Sequence, residues 1–521
     1  MPPTVAVVGG GISGLAACYH LLRAPRPPQC PPAPFRGPQC PQPSFGVPRW
    51  CCWRPALGSG GGCRARGPRG RRVRAGAGVG VTQGALSVFW GVSVCIFGGP
   101  PQVSELGLAG EVLAVPGAHP AARNRFLYLG GALHPLPSGL RPLFRAVPPF
   151  SQPLLWVGLR DLLTPAGTSP DESAHAFARR RFGAEVAEVA VDSLCRGVFA
   201  GDSRALSVRS CFPALFRAER SRGSVLLGLA LPHGGRGPAP LAPLAPLARR
   251  AVAERWSQWS LRGGMEALPA ALAAFAAARG AELRCRSPLR HLCHRRGRWQ
   301  LTLPDRTISA DHVISALPAA ALSRALPPEL EPLSRELRRI AAASVAVVNL
   351  QYEGAALPVT GFGHLVPSSE DPALLGIVYD SVAFPEHDGT PATPGTPAAT
   401  PGTPATPPLR LTVMLGGAWF RQSFGDPAAV APEPLLRRAR AAVRDHLGLP
   451  GTPARAILRV QQDCIPQYTL GHWERLERIQ GFLKEQQLPL SLIGASYSGV
   501  SVNDCIASAR AAVGRILGSP P

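Results

Sequence analysis

The sequence predicts an α/β fold with more than one domain, and three observations support this prediction. The chain has 521 residues, which is enough for several domains of ordinary size. An apolar run, a glycine-rich loop and a helix-forming segment follow one another at the N-terminus, and a similar succession stands at the C-terminus. Between them, helical patterns alternate with short apolar runs, as is typical of mixed α/β proteins.

The N-terminal segment has the pattern of a dinucleotide-binding loop. Residues 4–8 predict a short buried parallel strand, and residues 15–23 predict a helix. Between them, Gly9, Gly11 and Gly14 have the spacing G-x-G-x-x-G. These glycines allow a tight turn, a close approach of the backbone to a pyrophosphate and close helix packing, while the helix N-terminus supplies amide donors. A turn in an unrelated α/β domain is the alternative interpretation.

The next segment departs from that fold. A dinucleotide-binding domain needs an acidic residue about 20 residues after the glycines to hold the ribose, but no Asp or Glu occurs between Gly14 and Glu105. The prolines of residues 25–63 argue against both a helix and a central strand in that segment. Residues 75–104 carry no charge, yet their apolar core, 85–97, is shorter than the roughly 20 residues of a membrane helix.

The pattern becomes regular after residue 102. A hairpin is predicted over residues 125–133, and the Thr-Pro-Ala/Gly repeat at 389–408 predicts a solvated, polyproline-like, disordered insertion. Strands are predicted over 283–285, 299–303, 311–316, 411–415 and 490–493. Helices are predicted over 171–200 with a stop at Gly197, and over 248–254, 266–278 and 504–517.

The net charge of +23 does not by itself indicate nucleic-acid binding. It comes from 55 Lys and Arg against 32 Asp and Glu, and all but one of the basic residues are arginines scattered along the chain. A nucleic-acid binder concentrates its charge on one face, with aromatic side chains between the charges. The composition therefore argues against a nucleic-acid partner and favours an anionic membrane surface.

The 13 cysteines have no regular spacing and no C-x-x-C pair, and the early glycine loop leaves no room for a signal peptide, so we expect reduced thiols. Cys285, His291, Cys293 and His294 are ligand types, but their spacing favours a strand pair over a zinc site. No metal site is predicted.

Six segments together resemble the protoporphyrinogen oxidases, in particular the vertebrate mitochondrial form, within the superfamily of monoamine oxidases and phytoene desaturases. The resemblance rests on residues 6–16, 124–128, 193–201, 256–265, 361–367 and 494–506. It implies an enzyme of haem and porphyrin synthesis that oxidises protoporphyrinogen IX to protoporphyrin IX with FAD and molecular oxygen, releasing hydrogen peroxide. Such hydride transfer depends on orientation, so no catalytic acid–base residue is predicted.

The resemblance also implies the domains, the fold and the location. We expect a Rossmann-like FAD-binding domain, a discontinuous α+β substrate domain and a mainly helical membrane-binding domain. The ranges are 1–24, 64–75, 248–320 and 455–521 for FAD; 102–135 and 321–454 for substrate; 136–247 for the membrane; and 25–63 and 76–101 for the anomalous segment. The expected location is the mitochondrial inner membrane, peripherally on the intermembrane-space side, with a homodimer as a further expectation.

The site residues implied by the resemblance fall into two groups. Those for FAD are Gly9, Gly10, Gly11, Ile12, Ser13, Gly14, Gly67, Pro68, Arg69, Gly70, Leu289, Val500, Ser501 and Val502. Those for the substrate are Arg125, to pair with a propionate, and Leu365, Val378 and Met414, to enclose the macrocycle. Core packing is an equally good interpretation of the last three. Asn503 and Asp504 are as well explained as helix caps as they are as flavin ligands.

The departure at residues 25–101 leaves an alternative open. The acidic residue and the Gly-Gly turn of the family are absent there, and residues 25–66 and about 71–101 resemble translated non-coding sequence or a misassembled gene. The alternative is an inactive or flavin-deficient porphyrin-binding variant.

Overall fold

The computed structural model describes residues 4–23, 51–53, 100–137, 141–231, 246–388 and 407–518, and its fold is mixed α/β. The described residues form two compact units. The first takes its residues from Met1–Arg74, Ala267–Arg339 and Leu476–Pro521, and the second from Ala75–Glu266 and Ile340–Arg475. The predicted assignment of functional domains stays a prediction.

The strands and helices are numbered here in chain order. The strands are β1 (Val5–Val8), β2 (Cys51–Trp53), β3 (Val112–Pro116), β4 (Phe126–Leu129), β5 (Ala132–Pro135), β6 (Trp256–Leu261), β7 (Glu282–Arg284), β8 (His291–Arg295), β9 (Arg298–Thr302), β10 (Thr307–Ala310), β11 (His312–Ser315), β12 (Ala342–Tyr352), β13 (Gly363–Leu365), β14 (Leu374–Val378), β15 (Leu409–Gly417), β16 (Arg455–Pro466) and β17 (Leu490–Leu492). The helices are α1 (Ile12–Arg23), α2 (Pro100–Glu105), α3 (Pro120–Arg123), α4 (Arg141–Phe144), α5 (Leu154–Leu163), α6 (Ala174–Phe182), α7 (Asp192–Phe199), α8 (Val208–Cys211), α9 (Pro213–Arg222), α10 (Val225–Ala230), α11 (Pro246–Ala253), α12 (Ala267–Ala278), α13 (Ala319–Ala325), α14 (Glu331–Arg338), α15 (Asp380–Ala383), α16 (Phe420–Phe424), α17 (Pro432–Leu447), α18 (His472–Glu485) and α19 (Val502–Leu517). Short 3₁₀ turns cover Ala109–Glu111, Pro328–Leu330 and Pro385–His387, and a π-helical turn covers Val186–Val191.

The first unit is built on a five-stranded parallel sheet in the order β17-β11-β1-β2-β7. All four residues of β1 are buried, because a central parallel strand is covered on both faces. Helix α1 packs against α12 and against α19, so the N-terminal and C-terminal helices lie together. The predicted helices and strands of this unit are confirmed, and a second sheet, in the order β10-β9-β8, holds the predicted strand pair at His291, Cys293 and His294.

Strand β2 corrects the prediction that residues 25–63 contain no central strand. It lies between β1 and β7 and pairs in parallel with both, in the register Ala6↔Cys51 and Cys51↔Glu282. The prolines that argued against a strand lie outside it, at Pro48 and Pro55 in the sequence, and the three strand residues keep their backbone donors. A run this short is enough for a ladder when two neighbouring strands supply the partners.

The second unit contains a seven-stranded sheet in the order β16-β12-β15-β14-β13-β4-β5. Side chains alternate between its two faces, as Ala346 and Val348 of β12 lie in one apolar cluster and Val345 and Val347 in another. The first cluster, called here the helix-side cluster, includes Leu435 and further residues of α17. The second includes Leu365, Val378 and Met414 and is called here the slot-side cluster. The predicted hairpin is confirmed as β4 and β5.

The helix predicted over residues 171–200 is only partly confirmed. Ser173 caps α6 as expected, but the helix ends at Gly183, whose φ is +102°, and α7 begins after the π-helical turn. Gly197 is not the stop, because α7 runs to Phe199 and ends at Ala200, whose φ is +49°. Gly197 instead makes room for the side chain of Leu365.

A buried ion network joins the helices that follow. Arg181 of α6 is fully buried, lies 2.7 Å from Glu219 of α9 and 3.3 Å from Asp161 of α5, and donates to three backbone carbonyls. Asp161 also accepts from Ser224, the N-cap of α10. Four helices are thereby held in one arrangement. None of the helices in the described ranges is both long and apolar enough to cross a bilayer.

Candidate functional site

The glycine-rich loop of the first unit has the geometry that the sequence predicts. Gly9 follows β1 with φ at +106°, and a Cβ there would lie 2.8 Å from the carbonyl carbon of Ala316, just beyond β11. A Cβ on Gly14 would overlap the carbonyl oxygen of Gly9, so the third glycine permits α1 to pack against the loop. A Cβ on Gly11 would meet no atom of the described residues within 4 Å. The loop is therefore closed at Gly9 and Gly14 and open at Gly11, beside the N-terminus of α1.

This arrangement fits the pyrophosphate of a dinucleotide. Helix α1 begins at Ile12, so its first amides and its positive dipole end stand at the open position. Ile12 is half-buried, and Gly10 and Ser13 are buried. Because the free space is at the middle glycine, an anion can approach the backbone there without displacing a side chain.

The C-terminal loop meets the N-terminal loop in the same unit. A Cβ on Gly494, which follows β17 with φ at +98°, would lie 3.0 Å from Oγ of Ser13. The thiol of Cys505 in α19 forms a hydrogen bond with Ser13, and burial raises its pKa to about 11. The strand–glycine–helix segments at the two ends of the sequence therefore lie together in this unit.

The N-terminus of α19 is closed by a capping box. Oγ of Ser501 accepts from the Asp504 amide at 3.0 Å, and the Asp504 carboxylate accepts from the Ser501 amide at 3.2 Å and from its hydroxyl at 2.7 Å. Of the two interpretations left open for Asp504, the structure shows the cap. Val500, Ser501 and Val502, at this helix start, are half-buried.

The other residues predicted to contact FAD are only partly visible. Leu289 lies half-buried in the segment between β7 and β8, in the unit that holds the glycine loop. Gly67, Pro68, Arg69 and Gly70 lie outside the described residues. Arg54 follows β2 in the sequence at the place where dinucleotide-binding folds commonly carry an acid.

Tyr497 was not among the predicted residues. It lies in the loop between β17 and α19, and its buried hydroxyl has no hydrogen-bond partner within the described part of the chain. Burial raises the pKa of this phenol above its usual range. A buried hydroxyl without a partner among the described residues is consistent with a missing polar ligand.

The second unit brings together the three aliphatic residues predicted for the substrate. Leu365 of β13, Val378 of β14 and Met414 of β15 belong to the slot-side cluster, and each is buried. A Cβ on Gly197 in α7 would lie 2.9 Å from both methyl carbons of Leu365, so the helix approaches this side chain closely. Burial of this kind is required both of a closed apolar slot and of a plain core.

Arg125 lies in the same unit, immediately before β4, and is half-buried. One of its terminal nitrogens lies 3.5 Å from Oγ of Ser257 on β6, and its buried Nε has no partner among the residues described. Burial lowers the pKa of its guanidinium. Among the described side chains, no carboxylate lies within ion-pair distance of Arg125, so the cation is available to an anionic ligand. Ser257 was missed, although it lies within the resembling segment 256–265.

No metal site competes with this arrangement in the described ranges. There, no three His, Cys, Asp or Glu side chains converge as metal ligands would. Cys285 is an exposed free thiol directly after β7 and lies outside the strand pair of β8 and β9.

Comparisons with known proteins consistently give flavin-containing oxidoreductases. The model of the flavin containing amine oxidoreductase family matches residues 110–517. Protoporphyrinogen oxidase of Bos taurus is 52% identical over 523 residues, and that of Homo sapiens is 51% identical over 522; both comparisons cover 100% of each chain. A solved structure from Exiguobacterium sp. 255-15 is 20% identical with a TM-score of 0.66 over 99% of each chain, and this likeness concerns the fold alone.

Proposed function

The chain belongs to the protoporphyrinogen oxidases, within the flavin-containing amine oxidoreductases, and we propose that it oxidises protoporphyrinogen IX to protoporphyrin IX with FAD and molecular oxygen, releasing hydrogen peroxide, in haem synthesis. The observation that carries this proposal is 52% identity over the full length of both chains. The glycine loop, open at Gly11 beside a helix N-terminus, supports the cofactor.

The first unit is proposed as the FAD-binding domain, with a Rossmann-like parallel sheet. The backbone from Gly9 to Gly14 would hold the pyrophosphate, and Leu289 would contact the adenine. The start of α19, at Val500, Ser501 and Val502, would direct its positive dipole end at the isoalloxazine, where it favours negative charge. When bound, FAD accepts the hydride equivalents of the substrate and passes them to oxygen. The chain itself binds and orients the substrate and excludes water from it.

The sheet of the second unit is proposed to bind the substrate. Leu365, Val378 and Met414, which are buried together in its slot-side cluster, would enclose the flat macrocycle. Arg125, which lacks an acidic partner among the described residues, would pair with a propionate through its planar fork. One charged anchor and an apolar slot fix orientation, which is what a reaction without an acid–base dyad requires.

The test is direct. Purified protein should carry the absorption bands of oxidised FAD, and addition of protoporphyrinogen IX should bleach them without oxygen. With oxygen, porphyrin fluorescence should appear together with three equivalents of hydrogen peroxide for each porphyrin, because six hydrogens leave the substrate. Protein that retains FAD but produces no porphyrin above the spontaneous rate would overturn the proposal.

One observation favours a second candidate, a flavin-deficient porphyrin-binding protein. The residue after β2 is Arg54, so the charge-assisted hydrogen bond of an acid to the ribose, worth about 1.5–3 kcal/mol, has no obvious source there. In that case the purified chain would quench protoporphyrin fluorescence on binding while showing no flavin absorbance even after incubation with excess FAD.

We further propose peripheral attachment to the mitochondrial inner membrane, on its intermembrane-space side, through the helical part of the second unit. Helices α4, α5 and α10, which pack together in series, expose large apolar side chains: Phe144 at 68%, Trp156 at 59%, Leu163 at 73% and Leu229 at 58%. An open cavity of about 780 Å³ lies along α5 between Trp156 and Leu163. Single exposed apolar residues are ordinary, whereas a grouped apolar face requires a partner.

Charge on the same helices makes an anionic lipid leaflet the fitting partner. Arg141, Arg145 and Arg160 are exposed there, and such residues attract anionic headgroups while the apolar side chains enter the interface. Anionic vesicles should sediment the protein, and Trp156→Glu with Leu163→Glu should weaken this at least tenfold, by the cost of placing charge in the interface. If vesicles sediment the double variant as well as the unchanged protein, this face is excluded as the membrane-binding surface. A homodimer stays a prediction.

A further inference from the structure

A polar network lies behind the proposed substrate surface. Three adjacent strands, β4, β13 and β14, carry or follow the residues proposed to contact substrate: Arg125 directly before β4, Leu365 on β13 and Val378 on β14. Strand β13 pairs with both others, in the registers Leu365↔Leu127 and Gly363↔Val378. Since successive side chains of a strand point to opposite faces, the sequence neighbours of these residues lie on the helix side of the sheet.

Those neighbours bond to each other. His364 precedes Leu365, Tyr379 follows Val378, and both are fully buried. Nδ1 of His364 lies 2.8 Å from the Tyr379 hydroxyl, so one hydrogen bond joins β13 to the end of β14 directly behind the two slot-side residues. The backbone ladder at this point is short, because β13 has only three residues.

The network continues into α17 and returns to β4. Nε2 of His364 lies 3.0 Å from Nδ1 of His446, which belongs to the last turn of α17. The ring of Tyr128 on β4 stacks on His446, with 3.4 Å between the ring centroids and 8° between their planes. All three strands are thereby connected to one helix by side chains.

The donor pattern of the network is directional. Burial lowers the pKa of His364 well below its usual range, and repulsion from His446 in its protonated form adds to this. Burial likewise lowers the pKa of His446 to about 4. Both rings are therefore neutral near pH 7, and each has one donor and one acceptor nitrogen. One consistent arrangement has the Tyr379 hydroxyl donating to Nδ1 of His364 and Nε2–H of His364 donating to Nδ1 of His446. Loss of any member leaves a buried polar group without its partner.

We propose that His364 and Tyr379 are positioning residues for the oxidation: their hydrogen bond, anchored on His446, holds Leu365 and Val378 at the spacing at which the macrocycle is oriented for hydride removal. This inference rests on the proposed function. It differs from a merely structural role because the two residues are covalent neighbours of the slot-side pair, so their loss displaces the slot more than the fold. A displacement of about 1 Å in a substrate-orienting group can slow a reaction by up to about a hundredfold.

The test compares Tyr379→Phe with Tyr352→Phe in the FAD-loaded enzyme. Tyr352 is buried in the same helix-side cluster, on β12, so its replacement removes a hydroxyl from the cluster without touching His364. We expect Tyr379→Phe to lower the limiting rate of flavin reduction by protoporphyrinogen IX, without oxygen, at least tenfold, with unchanged FAD content. Tyr352→Phe should change that rate less than twofold.

Two substitutions at His364 and a spectroscopic measurement complete the experiment. His364→Gln keeps a donor and an acceptor and should retain a rate within about threefold of the unchanged enzyme, whereas His364→Leu should match Tyr379→Phe. The ¹⁵N shifts of His364 should show a neutral ring with protonated Nε2 that loses this tautomer preference in Tyr379→Phe.

Two results would overturn the inference: equal rates of flavin reduction in Tyr379→Phe and the unchanged enzyme, or equal slowing in Tyr352→Phe. The unchanged enzyme separately tests the proposed function. If protoporphyrinogen does not reduce its flavin, the proposed function fails, and the inference that rests on it fails for that distinct reason.

Discussion

Nε of Arg196 donates to the carbonyl oxygen of Val366 at 2.9 Å, although Arg196 lies in α7 and Val366 directly follows β13. The same guanidinium donates to the carbonyl oxygens of Asp371 and Leu374, each at 2.7 Å, and lies over the ring of Trp419 at 4.5 Å. The side chain is fully buried, and this burial lowers its pKa to about 10. A single cation thus closes the loop that connects β13 to β14, using carbonyl dipoles where a carboxylate would be expected.

Replacement of this cation should destabilise the protein. In Arg196→Met the carbonyls of that loop lose their donor inside the core, so we expect the free energy of unfolding to fall by about 3 kcal/mol. Arg196→Lys should cost nearly as much, because one ammonium cannot span the same carbonyls as a planar fork. Urea unfolding measures both. Arg459→Met, which changes an exposed arginine on β16, is the matched control and should cost less than about 0.5 kcal/mol.

Gly197→Ala should affect activity more than stability. The nearest atoms to the new methyl group would be the two methyl carbons of Leu365, at 2.9 Å, and this flexible side-chain end can turn away. The better helix propensity of alanine, about 1 kcal/mol, offsets the cost. We therefore expect thermal unfolding near that of the unchanged protein, with kcat/KM for porphyrinogen lowered about fivefold or more.

The control for this change is Gly481→Ala. Gly481 lies within α18, and a Cβ there would meet no atom within 4 Å in the part of the chain that the structure describes. Its replacement should leave kcat/KM unaltered. If kcat/KM is unaltered in Gly197→Ala as well, the position of Leu365 does not contribute to substrate orientation.

Alanine substitutions at two glycines of the N-terminal loop should have different effects. The methyl group added by Gly11→Ala would contact none of the described residues, so the apoprotein should unfold at the usual temperature. FAD affinity should fall at least tenfold, because the methyl group occupies the approach of the pyrophosphate. Gly14→Ala overlaps the Gly9 carbonyl and should lower stability before any cofactor is added. Calorimetry of the apoprotein and FAD titration separate the two effects. Equal FAD affinity in Gly11→Ala would place the pyrophosphate elsewhere.

Stability should fall as the pH is lowered from about 6.5 to 4. Burial lowers the pKa of His20, His312 and His472 to about 4, against 6.5 when unfolded. In this window the unfolded chain binds more protons than the folded chain, so protonation favours unfolding and the stability present above pH 6.5 is progressively lost. Thermal midpoints across this range measure the slope.

One histidine can be tested alone. Nε2 of His312 lies 2.9 Å from Oγ of Ser491 on β17, and His312→Gln should flatten the dependence on pH. His291→Gln, which changes an exposed histidine on β8, should leave the slope as it was. An unchanged slope in His312→Gln would contradict the assignment of a depressed pKa to this residue.

Local sequence was enough to predict the glycine loop, because its function depends on spacing. Gly9, Gly11 and Gly14 each have the role expected from G-x-G-x-x-G, and the hairpin of β4 and β5 follows from its Gly130-Gly131 turn. Ser173 was likewise recognisable as a cap, since a cap bonds to amides within its own turn. These are interactions between near neighbours, so composition and order suffice.

Contacts between distant parts of the chain could not be predicted from local sequence. Strand β2 exists because β1 and β7 supply partners on both sides of a stretch whose flanking prolines argue against a strand. Gly197 resembles a helix stop, yet its role is set by Leu365, 168 residues further along the chain. His364, Tyr379 and His446 carry no recognisable spacing, and only sheet register and helix packing bring their rings within hydrogen-bond distance. Tertiary structure decides these features, because burial and pairing depend on the partner that the fold supplies.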